Sequence, residues 1–452
     1  MLRIANGAGF LGDNLDAPRR LVESAQVDYL TLEYLAELTM SILARLREKD
    51  PQAGYAADFL TVLRTLLPAL KVQPRLKLVT NGGGVNPAAC ARAAAKLLAE
   101  SGLGDTSIGV VTGDDLLGRL GDLQAAGCRF ENLDTGRPLS ELGRAIVSAN
   151  AYLGARPIAE ALAGGARIVI TGRVADASLT VGPAVHELGW SWDDLDRLAG
   201  ASVAGHLIEC GAQATGGFYT HWPEVELADV GYPIAELADD GSCVITKPEG
   251  SGGAVNRLTV CEQLVYEIGD PRHYLTPDVD VDFTAVEVTE IGPDRVSVRG
   301  ARGGPAPERL KVSLAYRDGF LASGQMLVHG RDCLVKAKRC AEVVLARLAE
   351  QKLDRVHVEY LGAGEGVPGG APPPAYLREV VLRITVHAQD RSAVERFTRQ
   401  LAPLATSGPA GLAGYASGRA EVRPVFAYWP TLVPREHSQP HVEVRTARAW
   451  GE

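Results

Sequence analysis

The densest group of reactive side chains in the 452-residue chain lies at residues 205–217 (GHLIECGAQATGG), which hold His206, Glu209, Cys210, Gln213 and Thr215. If this stretch begins as a helix, His206 and Glu209 stand at i and i+3 on one face. A carboxylate can then orient an imidazole, or both can meet one substrate, which is equipment for proton transfer. Gly211, Gly216 and Gly217 break such a helix and turn Cys210, Gln213 and Thr215 back toward the same place. Each residue also has a plainer reading, since a single His or Cys is often a packed core side chain. No metal site is expected: a third ligand is needed, and the only neighbour, His221, stands at no recognised spacing.

Four other glycine-bearing loops carry polar groups. Residues 172–178 (GRVADAS) place Arg173, Asp176 and Ser178 together. The Arg173 fork suits a carboxylate or phosphate, whereas Asp176 either joins the chemistry or serves a helix cap. Residues 81–87 (NGGGVNP) offer Asn81, Gly83 and Asn86 to an anion, or form a plain turn. Lys247 and Ser251, within 247–253, read the same two ways. Finally, Gly7, Gly9 and Gly12 satisfy G-x-G-x-x-G after a short strand, and Glu33 follows Gly12 by about 20 residues, where a ribose-binding carboxylate belongs. That keeps an NAD-dependent oxidoreductase open. Asp13, directly after the last glycine, would set a negative charge beside a pyrophosphate, so Gly9 and Asp13 are ligand contacts of another kind or parts of a tight turn.

These loops need a scaffold that brings them together. Short apolar strands near 2–5, 76–80, 108–112 and 167–171 each run into one glycine-bearing loop, with helices expected at 17–24, at 88–100 behind Pro87, and from 178. Repeated strand–loop–helix units predict an α/β fold with a doubly wound, mostly parallel sheet, whose ligand sits beyond the carboxyl ends of the strands. Longer helices at 31–47, 56–67 and 158–163 would cover its faces. From about residue 228 the pattern changes to alternating strands at 282–290, 295–299 and 310–316. This predicts two domains, a ligand-binding α/β domain over 1–227 and an α+β domain over 228–452, with the Lys247 loop facing a cleft between them. Residues 362–374 read as an exposed loop, and 379–387, 393–401 and 421–428 as a closing βαβ element.

Composition narrows the partners. Apolar residues make up 46% and charged residues 22%, as in ordinary globular proteins. A net charge of −9 without any Lys/Arg run argues against nucleic acid or an anionic membrane as partner. Seven scattered cysteines without a Cys-x-x-Cys pair fit neither a disulfide framework nor a zinc ribbon. With no basic, apolar leader and no run of ~18 apolar residues, a cytoplasmic location is expected.

Several stretches taken together resemble the acyclic terpene utilisation family, AtuA: residues 7–14 (GAGFLGDN), 28–41, 81–87, 148–163 (SANAYLGARPIAEALA), 170–180 (ITGRVADASLT), 205–218 and 247–280. The resemblance implies a CoA-thioester pathway, with hydratase, dehydratase or lyase chemistry on a branched or carboxylated acyl-CoA. His206 and Glu209 would be acid and base, Asp176 and Cys210 further catalytic candidates, and Arg173 the holder of a substrate carboxylate or of the thioester's phosphates. No cofactor is expected beyond the coenzyme A of the substrate. A homo-oligomer is expected, and because many family members continue into a C-terminal module of about a hundred residues, so is a small partner subunit. Residues 218–222 (FYTHW) depart from the more acidic segment of the family. A non-catalytic acyl-CoA-binding subunit is the third reading beside the enzyme and the oxidoreductase.

Overall fold

Short runs rich in Leu, Ile and Val supply the strands β1 (Leu2–Asn6), β2 (Tyr29–Leu32), β3 (Lys77–Thr80), β4 (Ser107–Thr112), β5 (Ile146–Ala151), β6 (Ile168–Thr171), β7 (Ile234–Leu237) and β8 (Cys243–Thr246). This computed structural model describes residues 1–364, 376–414 and 418–451. Five strands pair in parallel in the order β1-β2-β3-β6-β4. Parallel strands are covered on both faces and so need not alternate with polar residues; β2 and β6 are buried at every position. Antiparallel strands complete a ten-stranded sheet. β7, β8 and the hairpin of Glu287–Gly292 with Arg295–Arg299 extend it beyond β1, and His441–Thr446 pairs with β4.

The helices around this sheet include α1 (Ala17–Ser24), α2 (Glu37–Lys49), α3 (Ala57–Val72), α4 (Pro87–Glu100), α5 (Leu120–Ala125), α6 (Arg156–Ala163), α7 (Ser178–Leu188), α8 (Leu195–Glu209) and α9 (Arg257–Val265). Successive strand residues point to opposite faces, so Ile4 joins one buried cluster with α6, α7 and α8, while Ala5 joins another with α1, α3 and α4. The α/β sheet wound on both faces follows from this sorting.

Three expectations need correction. The helix expected from residue 31 begins at Glu37, because Tyr29–Leu32 is strand β2, inserted between β1 and β3; a short apolar run does not by itself separate strand from helix. The chain divides into Met1–Ala315 with Tyr428–Glu452 as one unit and Tyr316–Ala427 as the other, not at residue 228. The first strands after 228, β7 and β8, pair onto the existing sheet, and new sheets begin only later, a three-stranded one with Tyr274–Leu275, Asp280–Asp282 and Arg302–Gly304 and a larger one around Arg309–His329. Lastly, among the described residues Glu379–Ala388 has only antiparallel partners, Arg355–Leu361 and Arg309–His329, so the expected βαβ element is not formed there. The exposed loop expected at 362–374 lies, from residue 365 onward, outside the described residues.

Close backbone approaches explain some of the glycines. A Cβ on Gly83 would stand 2.4 Å from the Thr171 carbonyl oxygen and 2.9 Å from Pro87 Cα. Gly83→Ala is therefore expected to cost about 1–3 kcal/mol in urea unfolding. Gly118→Ala, where nothing lies within 4 Å, should change stability by no more than about 0.5 kcal/mol.

Candidate active site

The parallel strands end on polar residues. Glu33 follows β2, Asn81 follows β3, Arg173 closely follows β6 and Asp114 closely follows β4, so neighbouring strands deliver them to one edge. Asn6, at the end of β1, brings α8 to the same edge: its Nδ2 donates to the carbonyls of Ala8 (2.9 Å), Ile208 (2.8 Å) and Glu209 (3.0 Å). The two latter are carbonyls left without partners at the end of a helix. Gly9 lets the first loop close on that helix end, since a Cβ there would lie 2.6 Å from Gly211 N.

A cleft of about 1140 Å³ opens here, lined among others by Glu33, Asp176, Arg173, His206 and Glu209. All its lining residues belong to the larger unit; the expected cleft between two sequence domains is thus a cleft within one. Exposed Phe10, Leu133, Phe218 and Leu275 stand among its walls, giving an apolar rim over a polar floor.

Arg173 organises the floor. Its side chain is 2% exposed, and Nη1 donates to the Leu35 carbonyl (2.8 Å) and to Asp176 Oδ1 (2.7 Å), with Glu33 Oε1 at 3.9 Å. The guanidinium lies 4.1 Å from the Tyr152 ring centroid. Glu33 accepts from Leu35 N (2.9 Å) and from Asn81 Nδ2. Burial, and next the Asp176 charge, push the Glu33 carboxyl well above the usual carboxylate range against the pull of Arg173. Asp176 is raised too, chiefly by its low-dielectric surroundings. At the side of the floor, burial opposes ionisation of Glu37, but the Tyr152 hydroxyl at 2.7 Å and Lys311 Nζ at 3.1 Å outweigh it and hold that carboxyl at about 2.

His206 and Glu209 do share one face of α8, with Nδ1 3.3 Å from Glu209 Oε1. The other nitrogen, Nε2, lies 2.9 Å from the Gln263 carbonyl. A carbonyl only accepts, so Nε2 carries the hydrogen and Nδ1 is left as an acceptor in the neutral ring. Burial lowers the His206 pKa, while burial and then the Asp176 charge raise Glu209 well above its ordinary value. Both shifts favour an uncharged pair in which a protonated Glu209 donates to the imidazole. Glu33 Oε2, Glu209 Oε2 and Arg173 Nε, all buried, have no hydrogen-bond partner among the described residues. An unmet buried polar atom costs about 1–3 kcal/mol, so these are the atoms for which a ligand's hydrogen bonds matter most.

The structure thus gathers Gly9, Asp13, Arg173, Asp176, His206, Glu209, Cys210 and Gln213 along one cleft. Asp176 is no cap; the cap position of α7 is Ala177. Of the Arg173 fork, Nη1 is engaged by the Leu35 carbonyl and Asp176, while Nε has no partner among the described residues. Burial, then the neighbouring Glu209, raise the Cys210 thiol far above its ordinary value, which disfavours a thiolate. Asp13 accepts from Gly9 N (2.8 Å), Asn14 N (2.7 Å) and the Tyr232 hydroxyl (2.6 Å), and so builds the wall.

Other residues expected at the site lie elsewhere. Gly83 and Asn86 belong to a loop closed on itself, with Asn86 capping α4 and donating to Pro51 and Ala53 carbonyls. Asn81 is fully buried beneath the floor, where it serves Glu33 and Tyr34 N. Thr215 donates to the Ala212 carbonyl, and Lys247 is occupied by the Ser251 carbonyl (2.7 Å) and Asp294 (3.1 Å). The loop amides are engaged as well: Gly7 N reaches the Thr31 carbonyl, Gly9 N reaches Asp13 and Gly12 N reaches Asp58. They do not form the amide cradle a dinucleotide pyrophosphate needs. His221 is exposed, beside Glu224. Glu37, Tyr152 and Lys311 were not anticipated. For Glu37 a signal was present, since Glu33 and Glu37 are the charged residues inside the apolar run 29–40.

Among known families, the model of acyclic terpene utilisation family protein AtuA matches residues 2–444. No curated protein and no solved structure matches. No helix among the described residues is long and apolar enough to cross a membrane.

Two outcomes test this geometry. Removing the buried cation by Arg173→Met should destabilise the protein by about 3–5 kcal/mol, because Glu33 and Asp176 lose their counter-ion; unchanged denaturant unfolding would contradict the role given to it. Asp114 accepts from Arg173 N (2.9 Å) and Asn150 Nδ2 (2.7 Å), yet burial raises its carboxyl from 3.8 to about 6. A raised folded value means stability present below the unfolded value and lost as pH rises through the folded one. Wild type should therefore lose stability relative to Asp114→Asn between about pH 4 and 6, by roughly 1.4 kcal/mol for each pH unit crossed in that window.

Proposed function

The chain belongs to the acyclic terpene utilisation family, and from that premise we propose that it is an enzyme adding water to, or removing it from, a branched or carboxylated acyl-CoA. One observation carries the reading: Glu33, Asp176 and Glu209 share a single buried guanidinium, Arg173, so they cannot all be ionised. A site that holds a carboxylic acid and a carboxylate at the same pH has both partners of general acid–base catalysis.

In hydration, Asp176 takes a proton from water as its oxygen bonds to Cβ of an α,β-unsaturated thioester. Glu209 gives up its hydrogen bond to His206 Nδ1 and delivers that proton to Cα, and the C=C π bond is consumed. Dehydration runs the same transfers backward. Asp176 keeps 32% of its side chain exposed and can meet water, whereas Glu209, at 9%, is sheltered as a proton donor should be. Charge gathering on the thioester oxygen falls to Lys311, which lines the same cleft. After turnover the proton on Asp176 returns to Glu209 through solvent or the shared cluster.

His206 is a positioning residue in this scheme. Its tautomer, set by the Gln263 carbonyl, keeps Glu209 in the donor form. Cys210 takes no part.

The test is turnover of a branched enoyl-CoA, followed by loss of the enoyl-thioester absorbance. Glu209→Gln and Asp176→Asn should each lower kcat by about 10²- to 10⁴-fold with the fold intact. Glu209→Gln keeps the shape of the neutral acid, so full turnover in that variant would contradict the proposal.

A further inference from the structure

A second groove, of about 600 Å³, lies beside the cleft and is lined by Arg156, Trp192, Arg435 and the segment around Pro305. Pro277 and Leu310 line both cavities, and the chain between them continues the link: Pro305 and Ala306 face the groove, while Pro307 to Lys311 face the cleft. Basic side chains recur along that path, Lys311 (paired with Glu37) and Arg309 on the cleft side and Arg435 and Arg156 in the groove, with Glu308 and Asp278 among them. The interior of the cleft is the opposite case. Its one buried guanidinium is already matched by carboxyls, so no polyanion fits there.

Arg156 lies 4.7 Å from the Trp192 ring centroid and makes no ion pair among the described residues. Arg435 donates to the Pro307 carbonyl (3.0 Å) and to that of Pro277, which fixes its guanidinium on the groove wall. An indole with one guanidinium over its ring, in a groove that a second guanidinium lines, suits an aromatic base with phosphates attached. Glu160 and Asp193 share the wall, so the groove grips its anion at two points and not through a broad positive field.

We propose that this groove docks the nucleotide end of a coenzyme A thioester, adenine against Trp192 and phosphates on Arg156 and Arg435, with the pantetheine arm running along 305–311 into the cleft. The assignment rests on the acyl-CoA reading above and adds the place where the carrier is recognised. It also explains why the glycine loops need no phosphate.

Calorimetry with coenzyme A, pantetheine and ADP tests it on wild type, Arg156→Glu, Trp192→Ala and Trp192→Phe. Coenzyme A should bind wild type and weaken about tenfold or more in the first two variants, a loss the size of one charge-assisted contact. Trp192→Phe, which keeps an aromatic face, should recover most of that, and pantetheine should bind all four proteins alike. Equal coenzyme A binding in wild type and Arg156→Glu overturns the proposal, as does no binding in wild type, or ADP binding tighter than coenzyme A, which would mark a groove for free nucleotides. Failure of the catalytic reading looks different: wild type then binds coenzyme A in the groove but turns over no enoyl-CoA.

Discussion

One buried guanidinium facing three carboxyl groups is the constraint from which the rest of the larger unit can be understood. Arg173 is 2% exposed and bound on several sides. A cation so placed must be matched by negative charge, but only in part, because each further ionised carboxylate incurs both desolvation and repulsion. Burial and mutual repulsion therefore push the carboxyls of Glu33, Asp176 and Glu209 up, against the pull of Arg173. Glu37 takes part as well, drawn down by Arg173 and raising Asp176, but against its own burial Tyr152 and Lys311 hold it ionised. Acid and base thus arise from one arrangement and do not need separate environments.

The sheet makes the arrangement possible. Parallel strands send every following residue to the same edge, so Glu33 and Arg173, far apart in sequence, meet beside Asp176. α8 reaches that edge because Asn6 binds its last carbonyls, and its Glu209 arrives as part of a helix end that is already satisfied. The same logic explains Asp114, which holds the Arg173 amide and leaves Gly172 no room for a side chain: a Cβ there would lie 2.4 Å from Asp114 Oδ1. Rigid elements and satisfied backbone groups position the floor, and Phe10, Leu133, Phe218 and Leu275 give it an apolar rim.

Much of this was legible from spacing. The His206/Glu209 pair was readable because i and i+3 residues must share a helix face, and the α/β sheet because strand, glycine loop and helix recur. The meaning of the glycines was not. G-x-G-x-x-G and Asn81 to Pro87 look like anion cradles, but glycine reports only that something passes close, and here it is the protein's own backbone, Cys210 and Gly211 at Gly9 and Thr171 at Gly83. The boundary at 228 failed for a related reason. Alternating strands announce an antiparallel partner without saying whose edge they join, and β7 joins β1. Glu33, Tyr152 and Lys311 come from three separate segments, so their convergence is a property of the topology that no local pattern carries.

The most direct measurement of the central claim is the infrared spectrum of the protein near neutral pH, wild type against Glu209→Gln, read in the carboxyl region. Wild type should show a protonated carboxylic acid band that the variant loses. A spectrum with every carboxyl ionised near neutrality, or a band unaffected by the substitution, would contradict it.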